Sequence, residues 1–141
     1  GQVYSLMAMI SSIKSSRIPI ATIVQGKAMS CGAILASFGH EGLRFMDKDA
    51  TMMIHDVSSF AFGKIEDLKS DVRESERLNK KVYTMMARNC GKADAYFTKL
   101  IHDKGHSDWF LDAEEAKMHG LIDHIRVPEM KIKVDVSITV E

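Results

Sequence analysis

The residues best suited to chemistry lie in a short segment, residues 26–32, which is bracketed by glycines and contains Ser30. An apolar run at residues 18–24 precedes it, and small side chains at residues 33–39 follow it. This order predicts a buried strand, a tight turn and then a helix that begins at the serine. A hydroxyl placed there lies near the free N–H groups of a helix N-terminus, which stabilise developing negative charge, as acyl transfer requires. The alternative interpretation is that Ser30 only caps the helix.

A serine hydroxyl needs a base to take its proton, and the base works best when a third group fixes its tautomer. Five of the six histidines lie in or beside polar segments that are predicted to be exposed: His40, His102, His106, His119 and His124. His55 instead ends an apolar strand predicted at residues 51–54, which would hold it rigidly. It is the candidate base, with an ordinary hydrogen-bonded core histidine as the alternative. The 19 carboxylates leave the third group open.

The elements that must position these residues alternate between strands and helices, which predicts an α/β fold. The longest helical pattern covers residues 64–88, where a narrow apolar seam on a charged helix is interrupted by Ser75 and Asn79. Such a helix typically packs against a partner. Further helices are predicted at residues 3–13, 92–104 and 113–119, and further strands at residues 43–46, 109–111 and 121–125.

The C-terminal tail has a different pattern from the rest of the chain. After Pro128, residues 131–140 alternate between apolar and polar side chains, which predicts a half-buried strand. We expect this strand to pair at a sheet edge, within its own subunit or with a neighbour. The chain is therefore divided into one domain at residues 1–127 and a strand-like tail at residues 128–141.

Composition excludes several classes of partner. The 141 residues carry 19 acidic and 19 basic side chains, so nothing predicts a nucleic-acid or anionic-membrane partner. No apolar run approaches the ~20 residues of a membrane helix, and no signal peptide is visible. Cys31 and Cys90 form no disulfide pattern, which favours a reducing compartment: the cytoplasm, or an organelle matrix or stroma. No metal or cofactor is predicted.

Three stretches, in this order, resemble the proteolytic subunit of the Clp protease (caseinolytic peptidase) family. They are residues 26–32, residues 51–55, and residues 108–116 continued by 120–123. The similarity runs from Gly1 to about Ile125. It implies the family's fold, a crotonase-like α/β spiral of strand-strand-helix units with a protruding handle helix, here at about residues 64–90.

The resemblance implies a serine endopeptidase with a triad of Ser30, His55 and Asp108. It further implies that the backbone N–H groups of Gly1 and Cys31 bind the oxyanion. An extended substrate would lie along a groove formed by Gln2, Val3, Val57 and Ser58. The family forms heptameric rings that stack through the handle helix into a homo-oligomeric tetradecamer. A hexameric AAA+ ATPase unfolds polypeptide substrates, which the chamber then cleaves to short peptides.

The sequence also departs from the family pattern. Cys31 stands where the family usually has methionine, so the thiol is an alternative nucleophile, and Asp56-Val57 replaces a usual Gln-Pro and adds a charge beside the base. Gly1 aligns with the second of two family glycines, so we expect a longer parent polypeptide. Two rival functions remain: a non-catalytic or regulatory ring subunit, and a crotonase-type acyl-CoA enzyme, which has no use for a Ser-His-Asp set.

Overall fold

The computed structural model describes residues 1–58, 62–131 and 133–139. These residues form five helices and six strands, in the order α1 (Val3–Ser15), β1 (Thr22–Val24), β2 (Lys27–Met29), α2 (Cys31–Ala36), β3 (Arg44–Met46), β4 (Thr51–Ile54), α3 (Ile65–Asn89), α4 (Tyr96–Asp103), β5 (Trp109–Leu111), α5 (Ala113–Met118) and β6 (His124–Ile125). The predicted α/β class is confirmed. Within the described residues, no helix is both long enough and apolar enough to span a bilayer.

The strands form two small sheets, and the chain passes from one to the other as it proceeds. In the first sheet β3 lies between β1 and β6, and both pairings are parallel. In the second sheet β4 lies between β2, to which it is parallel, and β5, to which it is antiparallel. This second sheet carries the candidate catalytic residues at one of its edges.

The long helix α3 behaves differently in its two halves. Its C-terminal half packs into the core through Leu78, Val82, Tyr83, Met86 and Ala87, which are all buried. Its N-terminal half exposes apolar side chains, with Ile65 at 70% and Val72 at 56% of their full accessibility. The sequence predicted that this helix packs against a partner. The C-terminal half instead packs within its own subunit, so only the N-terminal half has apolar surface left for a partner.

The segment predicted as a turn at residues 26–32 contains a strand, and this part of the prediction was wrong. Gly26, with φ +72°, makes the turn alone, and β2 then pairs with β4 from Lys27 opposite Thr51 onward. A left-handed φ at a single glycine is enough to separate two strands, so the residues after it are free to join a sheet.

The tail does not form the predicted strand with any described part of its own subunit. Residues 133–139 have no regular structure and are exposed, while Ile132 and Val140 of the predicted strand lie outside the described residues. Neither described sheet, β1-β3-β6 or β2-β4-β5, includes a strand from the tail. Its pairing with a second chain stays a prediction.

A buried ion pair ties β3 to the segment before β6. Arg44 is 6% exposed, and its Nε and Nη2 donate to the two carboxylate oxygens of Asp123. Its Nη1 donates to the carbonyl of Gly120 at 2.8 Å, and its backbone N–H donates to Asp123 at 3.0 Å. Burial acts to raise the pKa of Asp123, but the Arg44 hydrogen bonds outweigh it and hold that pKa below its ordinary value.

Candidate active site

The topology of the second sheet brings three strand ends to the same edge. β2 and β4 run parallel, so Ser30 directly after β2 and His55 directly after β4 lie at the same end. β5 runs antiparallel, with Trp109 opposite Ile54, so Asp108 directly before β5 also lies there. Ser30 and Asp108 are 78 positions apart in the chain. The directions of the three strands are what bring them to the same place as His55.

Ser30 occupies the N-cap position directly before α2, but its side chain does not cap the helix. Its side chain makes no hydrogen bond to the helix, and its backbone has φ +55° and ψ −124°, a conformation that a serine rarely adopts. Its N–H donates to the carbonyl of Met53 at 2.7 Å, which continues the β2–β4 ladder. The hydroxyl is thereby turned away from the helix, and Oγ lies 2.9 Å from Nε2 of His55. The alternative interpretation, that Ser30 only caps the helix, is therefore not supported.

His55 lies between the serine and the acid. Its side chain is 24% exposed, and its Nδ1 lies 3.9 Å from Oδ1 of Asp108, whose side chain is 57% exposed. That separation exceeds the 2.7–3.2 Å of a hydrogen bond. The serine–histidine contact is therefore formed, whereas the histidine–aspartate contact is open by somewhat less than 1 Å.

A cavity of about 140 Å³ lies beside the serine and histidine. The predicted groove residues Val3, Val57 and Ser58 line it, whereas Gln2 is exposed just before α1 and is not part of the lining. Among the described residues, the lining comprises Gly1, Val3, Leu6, Ser30, Cys31, Ile34, His55, Asp56, Val57, Ser58 and Val82. The space suits a single side chain or a short extended segment.

Both predicted oxyanion donors lie at this cavity and contact each other. A Cβ added to Gly1 would lie 2.9 Å from Cβ of Cys31 and 3.2 Å from its Sγ. Side-chain atoms essentially never approach so closely, so the position requires glycine while Cys31 keeps its place. The Cys31 side chain therefore lies directly beside Gly1.

A comparison with protein families gives an independent result for the same stretch of chain. The family model described as Clp protease matches residues 1–129. The chain belongs to the Clp protease family. The match includes all eleven described elements and the three candidate catalytic residues, so the resemblance drawn from the motifs is confirmed, as is the family's α/β fold.

Two further contacts in this Clp protease family chain were missed at the level of sequence. Nδ1 of His106 donates to Oδ2 of Asp56 at 2.6 Å, and the N–H of Val57 donates to Oδ1 of Asn79 at 2.6 Å. Signals for both were present, since Asp56 is unusual for the family and Asn79 interrupts the apolar seam of α3. The sequence alone did not indicate that Asp56 would pair with His106 or Asn79 with Val57.

His119 was predicted to be exposed and is buried, with 7% of its surface accessible. Its Nδ1 lies 2.8 Å from the hydroxyl of Tyr96, and its ring packs edge-on against Trp109 with 4.8 Å between centroids. Burial lowers the pKa of His119, so the neutral ring is favoured. In this family member it supports Trp109, the residue that follows Asp108.

Proposed function

We propose that the chain is a serine endopeptidase of the Clp type that cleaves unfolded polypeptides to short peptides. The observation that carries the proposal is the 2.9 Å contact between Oγ of Ser30 and Nε2 of His55 beside a cavity. A nucleophile and a base within hydrogen-bond reach are the signature of covalent acyl transfer. A crotonase-type acyl-CoA enzyme has no role for this pair.

In the proposed mechanism Ser30 attacks the peptide carbonyl while His55 takes its proton at Nε2. Asp108 then accepts a hydrogen bond from Nδ1 of His55 and stabilises the imidazolium. This requires the 3.9 Å gap to close when substrate binds, a tightening that is common between free and substrate-bound enzymes. The protonated His55 next protonates the leaving amine, and water hydrolyses the acyl-enzyme.

The backbone N–H groups of Cys31 and Gly1 are the proposed oxyanion donors. Each such donor contributes about 3–4 kcal/mol to transition-state stabilisation in comparable sites. The substrate is proposed to bind as an added strand along Gln2, Val3, Val57 and Ser58. Backbone hydrogen bonds then supply most of the affinity, which makes the sequence specificity broad.

A fluorophosphonate probe tests the nucleophile directly. We expect the probe to modify Ser30, because the Ser30–His55 pair activates the hydroxyl, and peptide mass mapping will locate the adduct. The matched control is Cys31→Ala, which should be labelled as fast as the parent chain. An adduct on Cys31 would assign the nucleophile to the thiol, and absence of labelling would favour a non-catalytic ring subunit.

We further propose that the chain assembles into heptameric rings stacked as a tetradecamer and served by an AAA+ unfoldase. The support is membership of the family together with the exposed N-terminal half of α3, where Ile65, Leu68 and Val72 border a shallow apolar depression. Apolar surface of this kind on a projecting helix favours contact with another copy.

Native mass spectrometry tests this assembly. For the chain without substitutions, which serves as the parent of the variants, we expect a homo-oligomer near fourteen chains. That number is the one found in the family. Val72→Asp should separate the stack into single rings, because the charge would be buried at the contact. Ser70→Asp is the matched control, since it adds the same charge on the polar side of the helix and should leave the stack intact. A monomeric parent at micromolar concentration would contradict the proposal.

A further inference from the structure

Two imidazole–carboxylate contacts join the same two segments of the chain. One is the open contact between His55 and Asp108 at 3.9 Å, and the other is the formed hydrogen bond between Asp56 and His106 at 2.6 Å. His55 and Asp56 are neighbours at the end of β4, while His106 and Asp108 lie on the turn before β5. The second contact therefore bridges the segments that the first one must align.

The turn that carries Asp108 has an unusual backbone. Gly105 and His106 both adopt left-handed conformations, with φ +66° and +58°. The N–H of His106 donates to the carbonyl of Ile101 at 3.0 Å, which ends α4. Left-handed residues cost little for glycine but are uncommon for other residue types. In this conformation the partly exposed ring of His106 reaches the carboxylate of Asp56.

The base-bearing segment is fixed on its other side. The side-chain carbonyl of Asn79 on α3 accepts the N–H of Val57 at 2.6 Å, so the backbone just after His55 is held by a long helix. Asp56 stands between these two anchored residues. The bond from His106 thus attaches the turn before β5 to a segment that is already held in place.

We propose that His106 is a positioning residue that acts through Asp56. Its hydrogen bond holds the turn against the end of β4 and sets how closely Asp108 approaches His55. The inference rests on the proposed function of Ser30, His55 and Asp108. Since the His106 side chain is 58% exposed, the bond adds little to stability, and its effect falls on alignment.

Three variants of the full chain test the role, using kcat, KM and Tm. His106→Gly keeps the left-handed turn but removes the hydrogen bond, so kcat should fall on the order of tenfold while KM and Tm stay unchanged. His106→Asn should recover most of the rate, because asparagine tolerates left-handed backbone and offers an amide N–H to Asp56. His102→Ala is the matched control, since His102 contacts the His106 ring edge-on but makes no bond to Asp56, and it should match the parent.

A double variant separates positioning from a general structural effect. In an Asp108→Ala background, His106→Gly should lower kcat no further, because the residue it positions is gone. An additional loss there, or a parent-like kcat for His106→Gly alone, would overturn the inference while leaving the proposed function in place. A parent chain that neither cleaves peptides nor reacts with the fluorophosphonate would overturn both.

Discussion

Ser30→Ala is expected to lower peptide hydrolysis by on the order of 10⁵-fold, because the other members of such a triad contribute little once the nucleophile is absent. The substitution removes only Oγ, which lies 2.9 Å from Nε2 of His55 and makes no capping hydrogen bond to α2. Alanine meets the same backbone strain at φ +55° as serine does, so the fold should be retained. Hydrolysis of a fluorogenic peptide measures the loss, and the circular dichroism melting curve should superimpose on that of the parent.

Cys31→Ala is the matched control for this experiment, since it removes a polar atom from the neighbouring position on the same cavity. We expect it to retain activity, because the proposed role of Cys31 belongs to its backbone N–H. Comparable hydrolysis by the Ser30→Ala variant would eliminate Ser30 as the nucleophile. Loss of activity in Cys31→Ala alone would instead assign the chemistry to the thiol.

Arg44→Met is expected to lower the free energy of unfolding by about 3–5 kcal/mol, because it leaves the Asp123 carboxylate without its cation. The side chain is 6% exposed and also satisfies the carbonyl of Gly120, so a second polar group loses its partner. Chemical denaturation followed by circular dichroism measures the change. Adding Asp123→Asn to the variant should restore part of the loss, since the amide is uncharged and its oxygen still accepts the backbone N–H of residue 44.

The Arg44–Asp123 pair also predicts how the stability of the fold changes at acidic pH. The folded pKa of Asp123 lies below its ordinary value of 3.8, so the pair stabilises the fold above that ordinary pKa. This contribution is lost as the pH falls through the folded pKa. The parent should therefore lose more stability than Arg44→Met on acidification across this range. An equal slope for both chains, or full stability of Arg44→Met at neutral pH, would contradict the assigned role of the pair.

The local features of the fold were predictable because short-range chemistry determines them. The helix predicted at residues 113–119 is present as α5, and the Asp112 carboxylate at its N-cap accepts the N–H of Glu115 at 2.8 Å. Ser30 was proposed because glycines bracket its segment. His55 was proposed because it ends an apolar strand. β2 was missed because three residues between a glycine and a serine carry no measurable period.

The non-local features needed the structure. Nothing in the residues distinguishes Asp108 from the other 18 carboxylates, because its position follows from the antiparallel pairing of β5 with β4. Its assignment from sequence came from the family resemblance alone. The burial of His119 and the bond between Asp56 and His106 depend on packing between segments that are distant in sequence, which periodicity does not encode.

The three proposed catalytic residues each adjoin a different strand of one sheet, and this arrangement makes the site a product of the finished fold. Until β5 has docked on β4, the acid lies far from the base, so a nascent or partly unfolded chain contains all three residues but no site. For the proposed function, peptide hydrolysis therefore depends on the docking of β5 on β4. Loss of peptidase activity and loss of secondary structure should accordingly coincide along a denaturant gradient, since one cooperative unit contains both.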